Sequence, residues 1–482
     1  MILNKTLSSN PGYWLLCPNA AKNAAKHVFV DQWATQSDYA LGEAVAVSGA
    51  EAKDARYGTK IDADEIVLLP AAEQAELAAQ ATALIEKECA PLAPKPQFFF
   101  EDAALRALAP EFERVARVLM ERVFSLTPIL IRHHDDADGI TSGLLLKNAI
   151  LDFSGAGASR AGRADRAAVP LPKTFLRSEW TDYAIYDSFR LLEDRNWALG
   201  FQKKPLLLLL DHGGNEDSHD AVRDAASFFD VVIVDHHPPD TRLREHSLAF
   251  VNSIAAGGTS SHTTGLLCFE IARRMQAAPR EELLWVSLEG DHSDFRKGVW
   301  PQVLALEYLS QTKHSLDDCE KMLADAQTLD IYYKKARTAI EDMMGNARKN
   351  TKTFRIARRD GRGEAVLQVT RMSFLKKNEF PSKSLAINEI HNALEYADAH
   401  LAVVSIGFIR DSLSFRGSKP AGGVGFKANG IIERLKEQFG SAVRSGGGHE
   451  LAASIRFDED VGEKILEAAI EEAKRALGDA GG

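Results

Sequence analysis

The segment His133-His134-Asp135-Asp136-Ala137-Asp138-Gly139 concentrates imidazole and carboxylate groups within one turn of chain. Buried together without a cation, these groups would repel one another or stay unpaired. His134, Asp136 and Asp138 alternate along the chain, so in a loop that continues strand geometry they point to the same side. Gly139 permits a sharp turn after them. The segment therefore predicts a group of metal ligands.

Three further loops carry the same kinds of side chain, namely Asp211–Asp217, Asp235-His236-His237-Pro238 and Gly290-Asp291-His292-Ser293-Asp294. Together they offer oxygen and imidazole nitrogen without thiolate, which favours Mn²⁺ over Mg²⁺, Co²⁺ or Zn²⁺. The groups outnumber the needs of one ion, so we expect two ions that share a carboxylate, roughly 3.5–4 Å apart. Such pairs catalyse in-line attack on phosphorus. A single aspartate after a strand is usually a helix cap, but four such loops in succession are hard to explain by capping.

The elements that must position these loops are short apolar strands followed by helices. We predict strands at Pro128–Arg132, Leu206–Leu210 and Val231–Val234, with helices at Thr141–Phe153 and around Asp220–Phe229. This alternation is typical of a parallel α/β sheet, whose functional site lies beyond the carboxyl ends of its strands.

The C-terminal part of the chain predicts a smaller mixed-sheet α/β domain. Its strands are expected near Ala365–Thr370, Ala402–Phe408, Leu413–Arg416 and Ala453–Phe457, and its helices at Gly430–Phe439 and Gly462–Leu477. Within it, Gly446, Gly447 and Gly448 could form an anion-binding nest of backbone N–H groups, with His449 as a further donor. Arg416 could hold a phosphate through its planar fork. Taken singly, the glycines also fit a flexible loop, and Arg416 a solvated side chain.

A chain of 482 residues is too long for one compact core, so we expect several domains. We predict an accessory N-terminal region at 1–100, a catalytic domain at 101–310, a helical linker at 311–350 and a substrate-binding domain at 351–482. The net charge of −10 argues against general nucleic-acid affinity. Locally, however, Lys334–Lys377 holds thirteen basic and four acidic residues. This basic stretch is either a track for a phosphate backbone or a solvated surface.

The four cysteines lie far apart and form no CxxC pair, which argues against a zinc ribbon and fits a reducing compartment. No apolar run is long enough to span a bilayer, and the N-terminus lacks the pattern of a secretory signal. The sequence thus predicts a cytoplasmic protein without a membrane contact.

The order of these motifs resembles the DHH phosphoesterase superfamily. The matching residues are HxDxDG at His134–Gly139, the isolated Asp211, the triplet Asp235-His236-His237, and Asp291. The run Gly446–His449, with Arg416 upstream, resembles the DHH-associated C-terminal domain of the RecJ and nanoRNase branch. The resemblance covers roughly residues 125–477 and leaves 1–100 uncovered.

The resemblance implies two lobes with a cleft between them and two Mn²⁺ ions, with Mg²⁺ or Co²⁺ as alternatives. His134 and Asp136 would bind one ion, Asp138, His236 and Asp291 the other, and Asp211 both. His237 would face the substrate phosphate or the attacking water, and the expected catalytic residues are His237, Asp211 and Asp235. Arg416, Gly446, Gly447, Gly448 and His449 would hold a terminal phosphate.

The function that this resemblance implies is a Mn²⁺-dependent phosphodiesterase that degrades single-stranded DNA or RNA from an end, as RecJ does. One alternative is a nanoRNase-like or cyclic-dinucleotide phosphodiesterase acting on very short oligonucleotides. Another is a metal-binding scaffold subunit with a replication or repair protein as its partner. A complete ligand set disfavours the scaffold, and the basic stretch favours longer substrates.

Overall fold

The computed structural model describes residues 1–6, 12–19, 24–31, 39–54, 58–90, 96–155, 169, 171–181, 185–275, 277–298, 300–311, 315–358, 363–376, 379–395 and 398–478. The chain forms two compact units. The first contains residues 1–306 and 315–324, and the second contains 307–314 and 325–482. None of the helices in the described ranges has an apolar stretch that could cross a lipid bilayer.

The first unit begins with a five-stranded sheet. Its strands are β1 (Ile2–Thr6), β2 (Gly12–Asn19), β3 (Ala24–Asp31), β4 (Val45–Asp54) and β5 (Gly58–Leu68), in the order β1-β2-β3-β5-β4. β3 and β5 run parallel, and the Ile2 N–H donates to Glu43 O just before β4. The sheet therefore curls so that its first strand approaches its last, as in a five-stranded Greek-key barrel.

Two helices follow, α1 (Ala71–Glu88) and α2 (Ala103–Phe124). Asp102 starts α2 by accepting the N–H groups of Ala104 and Leu105. His27 on β3 places Nε2 2.6 Å from the carbonyl oxygen of Phe124 at the end of α2. Burial lowers the pKa of His27 to about 4, so the ring is neutral near pH 7. This contact attaches the N-terminal sheet to the rest of the first unit.

The second sheet of this unit is parallel and has the order β10-β9-β8-β6-β7. Its strands and their helices are β6 (Ile129–His134), α3 (Ala137–Ser154), β7 (Leu176–Thr181), α4 (Ser188–Ala198), β8 (Leu206–Leu210), α5 (His219–Ala225), β9 (Asp230–Asp235), β10 (Ala249–Asn252), α6 (Thr264–Arg274) and α7 (Glu281–Gly290). Every residue of β8 is buried, as expected for a central parallel strand covered on both faces.

Three helices, α8 (Pro301–Ser310), α9 (Leu316–Ala324) and α10 (Ala326–Lys349), lead to a six-stranded mixed sheet in the second unit. That sheet has the order β11-β12-β13-β14-β16-β15. Its elements are β11 (Thr351–Ala357), β12 (Glu364–Arg371), α11 (Lys383–Glu395), β13 (Ala402–Ile409), β14 (Ser412–Gly417), α12 (Lys419–Gly423), α13 (Ala428–Phe439), β15 (Val443–Gly448), β16 (Ala452–Phe457) and α14 (Gly462–Leu477). The aromatic and aliphatic core of this unit lies between the sheet and its helices.

The predicted fold class, a parallel-sheet α/β domain followed by a smaller α/β domain with a mixed sheet, is confirmed. The strand predicted at Leu206–Leu210 has those bounds, and the helix predicted from Thr141 begins earlier, at Ala137. The reason is that Asp136 caps α3 by accepting the N–H of Gly139. The sequence predicts neither β7 nor β10, whose residues carry a weaker strand pattern.

A buried ion pair ties β6 to its neighbours. The Arg132 guanidinium donates to Asp194 on α4 at 2.6–3.1 Å and to the carbonyl oxygen of Trp180 on β7 at 3.2 Å. The Tyr186 hydroxyl donates to the same Asp194 carboxylate at 3.0 Å. Because both charges are almost fully buried, each depends on the other to offset its desolvation.

We predict that Arg132→Met destabilises the protein by about 3–5 kcal/mol, since it leaves the Asp194 carboxylate buried without its cation. The double variant Arg132→Met/Asp194→Asn should recover much of that loss, because the introduced amide carries no charge and still accepts from Tyr186. Urea unfolding of Arg132→Met, Asp194→Asn and the double variant measures their free energies of unfolding. Losses in the double variant equal to the sum of the single losses would show that the two charges do not stabilise each other.

Candidate metal centre

The parallel sheet delivers three of the four predicted loops to one edge. β6 ends at His134, β8 ends directly before Asp211, and β9 ends at Asp235. These strands are immediate neighbours, so their carboxyl ends lie side by side. Asp138 lies in the first turn of α3, and Asp291 directly follows α7. The structure thus brings all six sequence-predicted metal ligands into two overlapping clusters.

Asp211 lies between two histidines. Its Oδ2 is 3.4 Å from His134 Nδ1, and its Oδ1 is 3.3 Å from His236 Nε2. On one side, His134 Nδ1 is also 2.8 Å from Asp136 Oδ2. On the other side, His236 Nε2 is 3.0 Å from Asp291 Oδ2 and 3.9 Å from Asp138 Oδ2. One carboxylate therefore presents one oxygen to each cluster, which is the arrangement of a bridging ligand.

The donor atoms fit divalent cations. His134 Nδ1 and His236 Nε2 are buried, and within the described residues neither makes a well-aligned hydrogen bond, despite the short distances to carboxylate oxygens. Ligating atoms from three residues lie within 4.8 Å of one another in each of the groups His134–Asp136–Asp211, Asp138–His236–Asp291 and Asp211–His236–His237. Nitrogen and oxygen atoms that lie this close together, without well-aligned hydrogen bonds at His134 Nδ1 and His236 Nε2, match the needs of a metal ion.

The carboxylates of this cluster lie close enough to repel one another when all of them are ionised. Burial, together with the charges of Asp211 and Asp291, raises the pKa of Asp138 well above its usual value. Burial would lower the pKa of His236, but the Asp211 and Asp291 carboxylates outweigh it and raise that pKa well above normal. The pKa of His134 rises in the same way, through Asp136 and Asp211. The carboxylates thus stabilise positive charge at this place. Metal ions would supply that charge in place of protons.

Hydrogen bonds outside the clusters set the orientation of the histidines. His236 Nδ1 lies 2.8 Å from Ser260 O, which leaves Nε2 to face the carboxylates. His237 Nδ1 lies 2.8 Å from Asp235 Oδ1, and the His237 ring is partly exposed. Asp235 is buried and also accepts the N–H groups of His236, His237 and Gly214. Asp235 is therefore positioned to orient His237, while His237 itself can reach solvent.

Asp211 adopts a left-handed backbone conformation, with φ of 65°. Aspartate tolerates this region better than most residues, but the conformation still costs on the order of 1 kcal/mol. Gly213 follows with φ of 84°, where a Cβ would lie 2.8 Å from the Leu209 side chain. The sharp turn at the end of β8 holds the Asp211 carboxylate at the centre of the cluster.

Arg416 lies in the second unit, on β14. Its guanidinium donates to Asn388 Oδ1 at 2.5 Å, to Ser384 Oγ at 3.0 Å and to Phe415 O at 2.8 Å. Burial lowers its pKa to about 10, so the group stays charged near pH 7. No carboxylate pairs with Arg416 in the described part of the second unit. A charged, half-buried guanidinium held by neutral partners can accept an anion.

The glycine run differs from the expected nest. Gly446, Gly447 and Gly448 form the end of β15, an edge strand paired with β16. In a strand, successive N–H groups point to opposite sides, so the three groups do not converge on one anion. Gly448 has φ of 138°, and a Cβ there would meet Ala452 O at 2.4 Å, which explains the glycine at that position. The nest interpretation of these glycines is therefore wrong.

The sheet still brings His449 towards Arg416. Arg416 lies opposite Ala452 on β16, and the His449 N–H donates to Ala452 O at 2.7 Å. The two predicted phosphate-binding residues thus lie in one row, with Ala452 between them. Sequence reasoning misses Ser384 and Asn388, which hold the Arg416 fork from α11, and it misses the hydroxyl groups around the metal cluster.

Comparison with known proteins agrees with this architecture. Residues 128–287 match the model of the DHH family, N-terminal domain. This part of the chain therefore resembles a DHH-family domain. A solved DHH domain, from a protein described as a member of a family of ribosomal proteins, has 20% identity and a TM-score of 0.72, and the match covers 85% of this chain and 100% of that one. This likeness shows that the chain shares that fold.

Two further likenesses extend over most of the chain. An uncharacterized protein of Methanocaldococcus jannaschii is 24% identical over 499 residues, which cover 90% of this chain and 62% of that relative. The chain thus spans less than two thirds of the relative's length. RecJ of Thermus thermophilus in complex with Mn²⁺ has 15% identity and a TM-score of 0.47, over 85% of this chain and 62% of that one.

We predict different consequences for the two neighbouring histidines. His236→Ala should reduce bound Mn²⁺ from about two ions to about one per chain, because His236 faces Asp211 and Asp291. His237→Ala should keep both ions and lower turnover by about 10²–10⁴-fold, as expected for loss of a proton-transfer or phosphate-contacting group. Metal analysis after gel filtration, together with a rate assay, separates the two results.

His219→Ala provides the control, since His219 pairs with Asp240 at 2.8 Å and belongs to none of the three ligand groups. It should change neither the metal content nor the rate. Equal metal loss in the His236 and His237 variants would contradict the division of roles.

Proposed function

We propose that this protein is a phosphoesterase of the DHH superfamily, a Mn²⁺-dependent phosphodiesterase that hydrolyses single-stranded nucleic acid from an end. The observation that carries the proposal is Asp211, whose two oxygens face separate groups of nitrogen and carboxylate ligands. Two divalent ions at such a site would polarise the phosphate and activate the attacking water. His134 and Asp136 would hold one, Asp138, His236 and Asp291 the other, and Asp211 both. Mg²⁺ and Co²⁺ are the alternative ions in this proposal.

In this proposal, His237 and Asp235 act on the substrate and the attacking water. His237 contacts the phosphate or the water from its partly exposed position, and it moves a proton through the nitrogen that does not face Asp235. Asp235 acts through His237, because its oxygen fixes the ring and sets which nitrogen carries hydrogen. Placement of the water and phosphate beside these groups supplies the geometry on which the rate depends.

The second unit contributes substrate binding in this proposal. Arg416 would hold the terminal phosphate, with His449 in the same row as an additional donor and Gly446, Gly447 and Gly448 as the adjoining edge strand. The fork of Arg416 suits a phosphate because two parallel N–H groups can bind two oxygens. Ser384 and Asn388 fix the direction of the fork.

Part of the basic stretch supports a substrate longer than a dinucleotide. Five of its cations are already ion-paired, namely Lys334, Arg337, Arg355, Arg371 and Lys376. By contrast, Arg348, Lys349 and Lys352 are exposed and form no ion pair with the described residues. Arg348 and Lys349 are thus available to bind phosphates, whereas the Lys352 ammonium lies over the Phe354 ring, 4.9 Å from its centroid. Arg359, Arg362 and Lys377 lie outside the described residues.

The proposal predicts a dependence on substrate length and on Arg416. In Mn²⁺, the protein should degrade end-labelled single strands of about 20 nucleotides faster than dinucleotides, and chelator should abolish both activities. Arg416→Gln should lower kcat/KM by about 10–100-fold, the value of a charge-assisted hydrogen bond of about 1.5–3 kcal/mol. Running DNA and RNA with labels at either end identifies the sugar and the polarity.

Arg410→Gln is the matched control, because Arg410 is exposed in the turn before β14 and touches none of the proposed groups. It should retain wild-type kcat/KM. Cleavage confined to dinucleotides would instead establish the short-oligonucleotide phosphodiesterase. Metal binding without any hydrolysis would establish the scaffold function.

A further inference from the structure

The segment Ser260–Gly265, which leads into α6, contacts both halves of the metal cluster. Its first residue offers the carbonyl oxygen that orients His236. Its last two residues direct their N–H groups at Asp138, Thr264 to Oδ2 and Gly265 to Oδ1, each at 2.8 Å. We call this segment the brace segment. It contacts His236 after β9, Asp211 after β8 and Asp138 in the first turn of α3.

Thr264 makes two separate contacts with carboxylates. Besides the N–H bond to Asp138, its hydroxyl donates to Asp211 Oδ1 at 3.0 Å. The side chain is completely buried, so water cannot replace this donor. Thr264 is therefore the residue of the brace segment that joins the shared carboxylate to a carboxylate of the second cluster.

We propose that Thr264 is a positioning residue whose hydroxyl fixes the Asp211 carboxylate in the orientation that lets it bridge two metal ions. The inference rests on the proposed metal site. Asp211 Oδ1 has one lone pair directed at the hydroxyl, which leaves another for a cation near His236. Because threonine is branched at Cβ, few side-chain rotamers compete with this one.

Packing around Gly265 determines how closely the brace segment approaches Asp138. A Cβ at Gly265 would lie 2.4 Å from Ser287 Oγ and 3.0 Å from Asp138 Oδ1, so only glycine permits this distance. Ser287 on α7 donates to Asp138 Oδ1 at 2.7 Å, and its hydroxyl lies 2.6 Å from Thr263 Oγ1. The start of α6 is thus held against Asp138 by several contacts, and the Thr264 hydroxyl has little freedom to move away from Asp211.

The experiment compares Thr264→Val with Thr264→Ser. Valine has the shape of threonine without the hydroxyl, and it keeps the N–H that donates to Asp138. Serine keeps the hydroxyl. Thr141→Val is the control, since the buried Thr141 hydroxyl donates only to backbone oxygens, those of Ala137 and Asp138. The metal-free proteins are titrated with Mn²⁺, and the free ion is followed by electron paramagnetic resonance.

We expect Thr264→Val to weaken Mn²⁺ binding by about 10–100-fold, the usual effect of removing an outer hydrogen-bond partner of a ligand. Thr264→Ser should bind nearly as the wild type does, and Thr141→Val should match the wild type. The two valine variants should have similar melting temperatures without metal. At saturating Mn²⁺, Thr264→Val should lower kcat and leave KM nearly unchanged, because the carboxylate geometry and not substrate binding has changed.

Unchanged Mn²⁺ affinity in Thr264→Val, with normal binding by the wild type, would overturn the role of Thr264 alone. Equal losses of affinity in the Thr264 and Thr141 valine variants, in proportion to their stability, would also overturn it. A wild-type protein that binds no Mn²⁺ would overturn the metal site and this inference together.

Discussion

Repulsion among buried carboxylates is the constraint on which the rest of the structure depends. Asp138 and Asp211 are buried and Asp136 and Asp291 are partly exposed, and these four carboxylates lie around the imidazoles of His134, His236 and His237. Uncompensated charges of this kind cost several kcal/mol each in a protein interior. Only strong positive charge at the same place makes the arrangement favourable, and the directions of the imidazole nitrogens indicate where that charge belongs. In the proposed function, divalent cations supply that charge.

The fold opposes the repulsion with hydrogen-bond donors. The start of α6 directs two N–H groups and one hydroxyl at Asp138 and Asp211. Helix N-termini carry partial positive charge, so they stabilise carboxylates in the first turn. The left-handed conformation of Asp211 is a local cost of the same arrangement. Strand ends, helix starts and buried hydroxyls together hold the ligands in place before any ion arrives.

Much of this arrangement is readable from the sequence. The predicted ligand loops follow strands with continuous apolar runs, such as Leu206–Leu210. Such runs are typical of a parallel sheet covered on both faces. The glycine run misleads because glycine rarely marks a strand, and here the neighbouring β16 imposes the extended conformation. Thr264 gives no signal for another reason. Its partner Asp211 lies 53 residues away in the sequence. A single threonine at the start of a helix is usually interpreted as part of the helix cap.

The most direct test of a shared pair of ions is anomalous scattering from crystals soaked in Mn²⁺. The account predicts two peaks per chain at the manganese edge, roughly 3.5–4 Å apart, with the Asp211 carboxylate between them. His134 and Asp136 should contact one peak, and His236 and Asp291 the other. A single peak, or two peaks without Asp211 between them, would contradict the bridging role that organises this site.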